Sequence, residues 1–257
     1  MAGLVPGLLG ALALISLLAC SAPAGSTAPS SWPVSPEPLP DATSAGADAG
    51  ITCGGPIFPV SGLNAPTGAE KASGPEFDAL RATLVATASE FPGSSGWSWR
   101  LAGKDTSNAI FLAQTDVFGP NGWVAVELTA GPNGWQPGSM GQCNLRVALG
   151  AGYGPASWAL NPAFPAPTAD TTTLEILVWE ESCSSGSPVS GRMSAPVIDY
   201  AASTVTITLG VRPLQGVQTC PLGPGTPASL RLSESLGART LLDGGTFPPA
   251  APSPPFG

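Results

Sequence analysis

The sequence predicts a mainly β protein with one α-helix, built of antiparallel sheets and closing in a β-sandwich-like C-terminal part. Three observations carry that prediction. Short apolar runs separated by Gly, Pro, Asn and Asp recur from Trp97 to Ser233, which is the punctuation of strands and turns. Only one stretch, Ser73 to Phe91, repeats its apolar residues at helical spacing. From Thr204 to Arg212 apolar and polar residues alternate, as a sheet with one wet side requires.

The helix is framed by Ser73 and Glu76 as a capping box, with Pro75 in its first turn and Phe91-Pro92-Gly93 as its stop. Phe77, Leu80, Leu84 and Ala88 form its apolar stripe, and Glu76, Asp78, Arg81, Thr87 and Glu90 its outer face. Strands are predicted at Trp97–Leu101, Ala109–Ala113, Trp123–Thr129, Cys143–Leu149, Leu174–Glu180, Val197–Tyr200, Val205–Val211 and Ser229–Ser233. The clearest alternation places Val205, Ile207, Leu209 and Val211 on one face, with Thr204, Thr206, Thr208 and Arg212 on the other. Gly-Pro-Asn-Gly-Trp occurs at 119–123 and again at 131–135, and reads as one turn chemistry used at both ends of a strand, with Asn-Gly at positive φ. A soft boundary at Pro162 to Asp170 divides residues 51–165, a helix with an antiparallel sheet, from residues 166–246, the sandwich-like unit.

The N-terminus is of another kind. An uncharged apolar run from Leu4 ends at Leu17-Leu18-Ala19-Cys20, and a Ser/Ala/Pro/Gly tract follows to residue 50. Pro6, Gly7 and Gly10 interrupt the run, whereas a spanning helix needs about twenty apolar residues. The pattern resembles the signal peptide and lipobox of bacterial lipoproteins. The resemblance implies that residues 1–19 are removed, that Cys20 carries the lipid, palmitate included, and that the protein is held on the extracytoplasmic face of the cell membrane. Residues 20–50 would then be a disordered linker, and residues 247–257, Pro-rich again, a disordered tail.

Setting Cys20 aside leaves Cys53, Cys143, Cys183 and Cys220, an even set that suggests two disulfides in an oxidising compartment. Four cysteines allow three connectivities. The reading favoured is Cys53 with Cys143, tying the N-terminal extension to the body, and Cys183 with Cys220, flanking one hairpin-like unit. A zinc site is disfavoured, because no two cysteines have C-x-x-C spacing and the chain has no histidine. Nine basic residues scattered singly at a net charge of −8 argue against nucleic acid as a partner.

The absence of histidine removes the serine and cysteine triads and any histidine base. Lys71 and Lys104, the only lysines, read as solvated, which leaves carboxylates as the catalytic currency. Glu180 and Glu181, adjacent on a strand, point to opposite faces and read as ion-pair partners of Arg192 or Arg212 before they read as a dyad. A hydrolase would need two of Glu127, Glu175, Glu180, Glu181, Asp199 and Asp243 to converge in a cleft with at least one raised pKa. Asp105-Thr106-Ser107-Asn108 and Asp243-Gly244-Gly245 lack the spacing of a calcium loop. No cofactor and no metal ion is expected. Trp97 and Trp99, two apart on a predicted strand, are the candidate platform for stacking a ligand, although tryptophan in a β domain is more often core.

Gly141-Gln142-Cys143 with Trp158-Ala159-Leu160, then Glu180-Glu181-Ser182-Cys183-Ser184-Ser185-Gly186, and finally Thr219-Cys220-Pro221 with Leu236 to Gly244 resemble uncharacterised secreted lipoproteins of actinobacteria and other high-GC bacteria. That resemblance brings no activity; it implies that the Cys183 to Cys220 unit is a structural framework. Arg239 and Asp243 are expected to pair near a C-terminal edge. The functional expectation is a membrane-tethered module that binds or braces at the cell envelope, with the lipid bilayer and a cell-wall glycan or envelope protein as partners. The alternative is a histidine-free, carboxylate-dependent hydrolase of envelope glycans.

Overall fold

The computed structural model describes residues 30–31, 50–119, 122–150, 152–221 and 223–254. The leader, Cys20 and all of the linker except Ser30–Ser31 and Gly50 lie outside the described residues. Among the described residues no helix is long and apolar enough to cross a membrane.

In chain order the strands are β1 Ser30–Ser31, β2 Gly50–Thr52, β3 Phe58–Pro59, β4 Arg100–Lys104, β5 Asn108–Thr115, β6 Gly122–Gly131, β7 Gly134–Cys143, β8 Arg146–Val147, β9 Gly154–Leu160, β10 Thr173–Glu180, β11 Val197–Tyr200, β12 Thr204–Thr208, β13 Gly210–Val211, β14 Thr226–Arg231 and β15 Thr240–Asp243. Among the described residues the one α-helix, α1, spans Pro75–Ala86. The protein is therefore mainly β, and among the described residues the pairing is antiparallel except β1 with β14 and β12 with β15.

The N-terminal half is an antiparallel meander, β4-β5-β6-β7, buried on both sides. Its middle strand β5 carries the unbroken run Ala109-Ile110-Phe111-Leu112-Ala113, and successive side chains enter different cores. Phe111 and Ala113 meet Leu80 and Leu84 of α1, with Val124, Val126 and Leu128 of β6 and the fully buried Trp99. Ile110 and Leu112 meet Ile51 and Phe58 of the small sheet β3-β2-β8, and Leu145 just before β8. The C-terminal half is sandwich-like. Trp158, Leu174, Ile176, Ala228 and Leu230 from the sheet β14-β10-β9 share one core with Val205, Ile207 and Leu241 from the sheet β11-β12-β15. The predicted strand Val205–Val211 serves both layers: β12 pairs with β11 and β15, the chain bends at Leu209, and β13 pairs with β9.

Several expectations need correction. The capping box does not form, because Gly74 is the N-cap at φ 137° and the Glu76 carboxylate accepts instead from Lys104 Nζ at 2.7 Å. Glu76 is thus buried, not on the outer face, and Lys104 is an ion-pair partner that also lies over the Trp135 ring. Trp97 and Trp99 precede β4 instead of lying on it. The repeated Gly-Pro-Asn-Gly flanks β6 as expected, but the positive φ falls on Gly119 in one copy and on Gly134 in the other, so the two turns differ. Residues 134–143 and 154–160, unassigned or read as turn and loop, are strands. Ahead of residues 162–170, β9 pairs with β10 and β13, and its Ala156 and Trp158 belong to the second core. The tail is bonded as far as Ser253. Phe247 N–H donates to Leu145 O, Asp243 and Ala250 bond each other, and Ser253 N–H donates to Trp158 O at 3.1 Å.

Both disulfides have the favoured connectivity, Cys53–Cys143 across 90 residues and Cys183–Cys220 across 37. The first pins β2 to the end of β7 and includes the buried Cys143; the second joins two surface loops.

Candidate functional cleft

A cleft of about 470 Å³ opens where the small sheet β3-β2-β8 meets the ends of β9, β10 and β13. Its volume lies in the range of small-molecule sites. At its base is Arg146, a single cation in the otherwise apolar stretch Leu145–Leu149. The Arg146 side chain is 10 % exposed and reaches three other elements. Its Nη2 donates to Ala156 O of β9 at 2.8 Å and faces Glu181 Oε1, just past β10, at 3.1 Å, while Nη1 stands 3.7 Å from Asp243 Oδ2 at the end of β15. The Ser157 hydroxyl donates to the same Glu181 oxygen. Asp243 Oδ1 accepts from Gly245 N–H at 2.8 Å. Arg146 Nε, Asp243 Oδ2 and Trp158 Nε1, all buried, make no close hydrogen bond among the described residues, although the Trp158 indole lies near enough to the Asp243 carboxylate to act on it.

Asp243 has no solvent exposure. Burial pushes its carboxyl up to about 6, against the lowering influence of Arg146 and the Gly245 N–H; the Glu181 charge adds to the rise and the Trp158 indole opposes it. The folded protein therefore keeps this proton to about pH 6, whereas the unfolded chain releases it near 3.8. The group stabilises the fold most in acid, and that contribution is lost as pH rises through the folded value. The full difference is about 3 kcal/mol at most, of which about 1 kcal/mol falls between pH 5 and pH 7. Urea midpoints are expected to be higher at pH 5 than at pH 7, and Asp243→Asn to flatten that slope. A wild-type slope of opposite sign, unchanged in the variant, would refute the assignment.

Glu180 and Glu181 each have their own arginine. Glu180 Oε2 meets Arg192 Nη1 at 2.5 Å, and its other oxygen accepts from Ser182 at 2.6 Å. With a side chain 2 % exposed, Glu180 forms a buried ion pair rather than an edge one. Asp243 pairs with Arg146, and Arg239 pairs with Glu234, so the expected Arg239–Asp243 contact is not made. Of the six carboxylates considered for hydrolysis, only Glu181 and Asp243 meet in this way, with a guanidinium between them and Asp243 sealed from solvent. A catalytic acid or base must reach the proton it moves. Glu127, raised by burial, packs beside Gly55; Glu175 accepts from Ser229 at 2.5 Å; Asp199 is exposed. Asp105 closes the β4–β5 turn by accepting from the backbone N–H groups of Ser107 and Asn108, which hold its pKa down.

Of the two candidate stacking tryptophans, Trp99 is closed to a ligand and Trp97 is half-buried. Trp99 is fully buried and its indole donates to Ser94 O, and Trp97 stacks on it with ring centroids 6.0 Å apart. The cleft's aromatic group is Tyr153, which lies between β8 and β9 and carries Arg212 over its ring at 4.9 Å. Sequence reasoning missed Tyr153, Gln142, Asn144 and Arg146. For Arg146 a signal existed, since a lone arginine inside a buried apolar stretch demands a buried counter-charge; for the others there was none. Compared with known proteins, the chain matches no family model, no curated protein and no solved structure.

Proposed function

We propose that this protein is a lipid-anchored binding module of the bacterial envelope, tethered through Cys20 and engaging an envelope component in the cleft above Arg146. The observation that carries the reading is the cleft itself. It joins an apolar wall containing Ile57, 65 % exposed, to a polar wall of side chains, over an ion-paired base. An exposed apolar side chain beside converging polar groups is the usual composition of a ligand site. The apolar leader ending in Leu-Leu-Ala-Cys supports the tether, and the paired cysteines suit an oxidising compartment.

The test has two parts. Cys20→Ala is expected to move the protein from the membrane fraction to the soluble fraction, and the mature wild type to carry the mass of a lipid on Cys20. Ile57→Ser is expected to weaken sedimentation with purified envelopes at least fivefold, with thermal stability unchanged. Fractionation unaffected by Cys20→Ala would refute the tether, and sedimentation unaffected by Ile57→Ser the binding role of the cleft.

A further inference from the structure

We infer that the cleft takes an uncharged saccharide, with a sugar ring against Ile57 and Tyr153 and its hydroxyls on Gln142, Asn144 and Glu181. The inference rests on the reading of the cleft as a ligand site and goes on to name the chemical class of ligand. Charge balance comes first. Glu180 is paired with Arg192, Glu181 and Asp243 share Arg146, and Arg212 lies over the Tyr153 ring, so the carboxylates and guanidinium groups around the cleft balance in number. The one basic group lining the cleft, Arg146, is already held by Ala156 O and two carboxylates. An anion would find no unpaired cation lining the cleft and would meet Glu181, and a cation would have to share Glu181 with Arg146.

The polar valences left open are those of side chains. Gln142 Nε2 donates to Asn144 Oδ1 at 3.1 Å, which leaves the Gln142 carbonyl and the Asn144 amide N–H groups for a ligand. Glu181 uses one oxygen for Arg146 and Ser157 and keeps the other, and the Tyr153 hydroxyl is free. Acceptors, an amide donor and a hydroxyl together match sugar hydroxyls, which donate and accept at once. The backbone around the cleft is committed: Val147 N–H to Gly245 O, Ala148 N–H to Gly50 O, and β13 to β9. An extended peptide seeking a sheet edge would find those groups taken. A pyranose has an apolar C–H face and a polar rim, the same pairing of characters that the two walls present.

The experiment titrates the full-length protein in detergent with N,N′-diacetylchitobiose, cellobiose and maltose as neutral probes. Digalacturonate serves as the anionic probe and chitobiose, with its free amines, as the cationic one. At least one neutral disaccharide is expected to bind at or below about 1 mM, an ordinary single-site sugar affinity. Both charged probes are expected to bind at least tenfold more weakly. Tyr153→Ala and Asn144→Ala are each expected to weaken the neutral probe at least fivefold, with the melting temperature and Ile57-dependent envelope sedimentation serving as controls for the fold and for the broader binding role. Absence of neutral-probe binding at about 10 mM, a charged probe binding best, or affinity that survives both substitutions would overturn the inference. If envelope sedimentation still depends on Ile57 while no neutral sugar binds, the saccharide inference falls and the binding module stands.

Discussion

Arg146→Met is expected to lower stability by about 3–5 kcal/mol, the cost of leaving the buried Asp243 carboxylate without its cation. In this size of domain that corresponds to a fall of roughly 10 °C in Tm. Methionine keeps most of the apolar stem, so the loss measures the charge and its hydrogen bonds more than the packing. Three attachments go at once: the bond to Ala156 O on β9, the pair with Glu181 beyond β10 and the pair with Asp243 on β15. Asp243 is the member with no access to water, so it carries most of the penalty. The combined variant Arg146→Met with Asp243→Asn is expected to recover part of the loss, because the orphaned charge is then gone. Equal stability of Arg146→Met and wild type in urea would show that the cluster does not hold the sheets together.

Replacing Cys53 and Cys143 together by serine is expected to cost about 4–5 kcal/mol under oxidising conditions, against roughly 4 kcal/mol for Cys183 and Cys220. The order follows from the loops that the two bonds close, 90 and 37 residues, in the chain-entropy view. Packing reinforces it, since Cys143 lies in a core with Ile51 and Leu112 whereas Cys183 and Cys220 are both exposed. Exposure also sets which bond a mild thiol reaches first, so partial reduction followed by mass mapping is expected to label Cys183 and Cys220 before Cys53 and Cys143. In excess reductant the serine variants and wild type should unfold at similar denaturant concentrations. Loss of stability that is the same with and without reductant would contradict the structural role of the bonds.

The strands that announced themselves in the sequence are those buried on a continuous or alternating apolar face. Ala109–Ala113, Leu174–Glu180 and Val197–Tyr200 lie within observed strands because each packs a strongly apolar set into a core or against one. Residues 134–143 were missed for the opposite reason. That strand, Gly-Trp-Gln-Pro-Gly-Ser-Met-Gly-Gln-Cys, pairs only with β6 at the edge of the meander, where the ladder supplies the order and little apolar patterning is required. The helix was legible from its spacing but its cap was not, since the competitor for Glu76, Lys104, is 28 residues away. The cleft was the least legible part. Its residues come from β2, β7, β8, β9, β10 and β13, and no local pattern links Gln142, Tyr153 and Glu181. The tryptophan pair misled because a spacing of two implies a shared face only on a strand, and that segment is a loop folded over the core.

Residues 243–253 reach back to elements made much earlier in the chain. Gly245 O caps the Val147 amide, Phe247 docks beside Leu145, and β15 lies parallel to β12 with Asp243 reaching back to Arg146. A nascent polypeptide emerging from a ribosome or a narrow pore therefore cannot complete these contacts until residues 243–253 have cleared the exit. Emergence of that segment is what ties the small sheet to the sandwich-like layers.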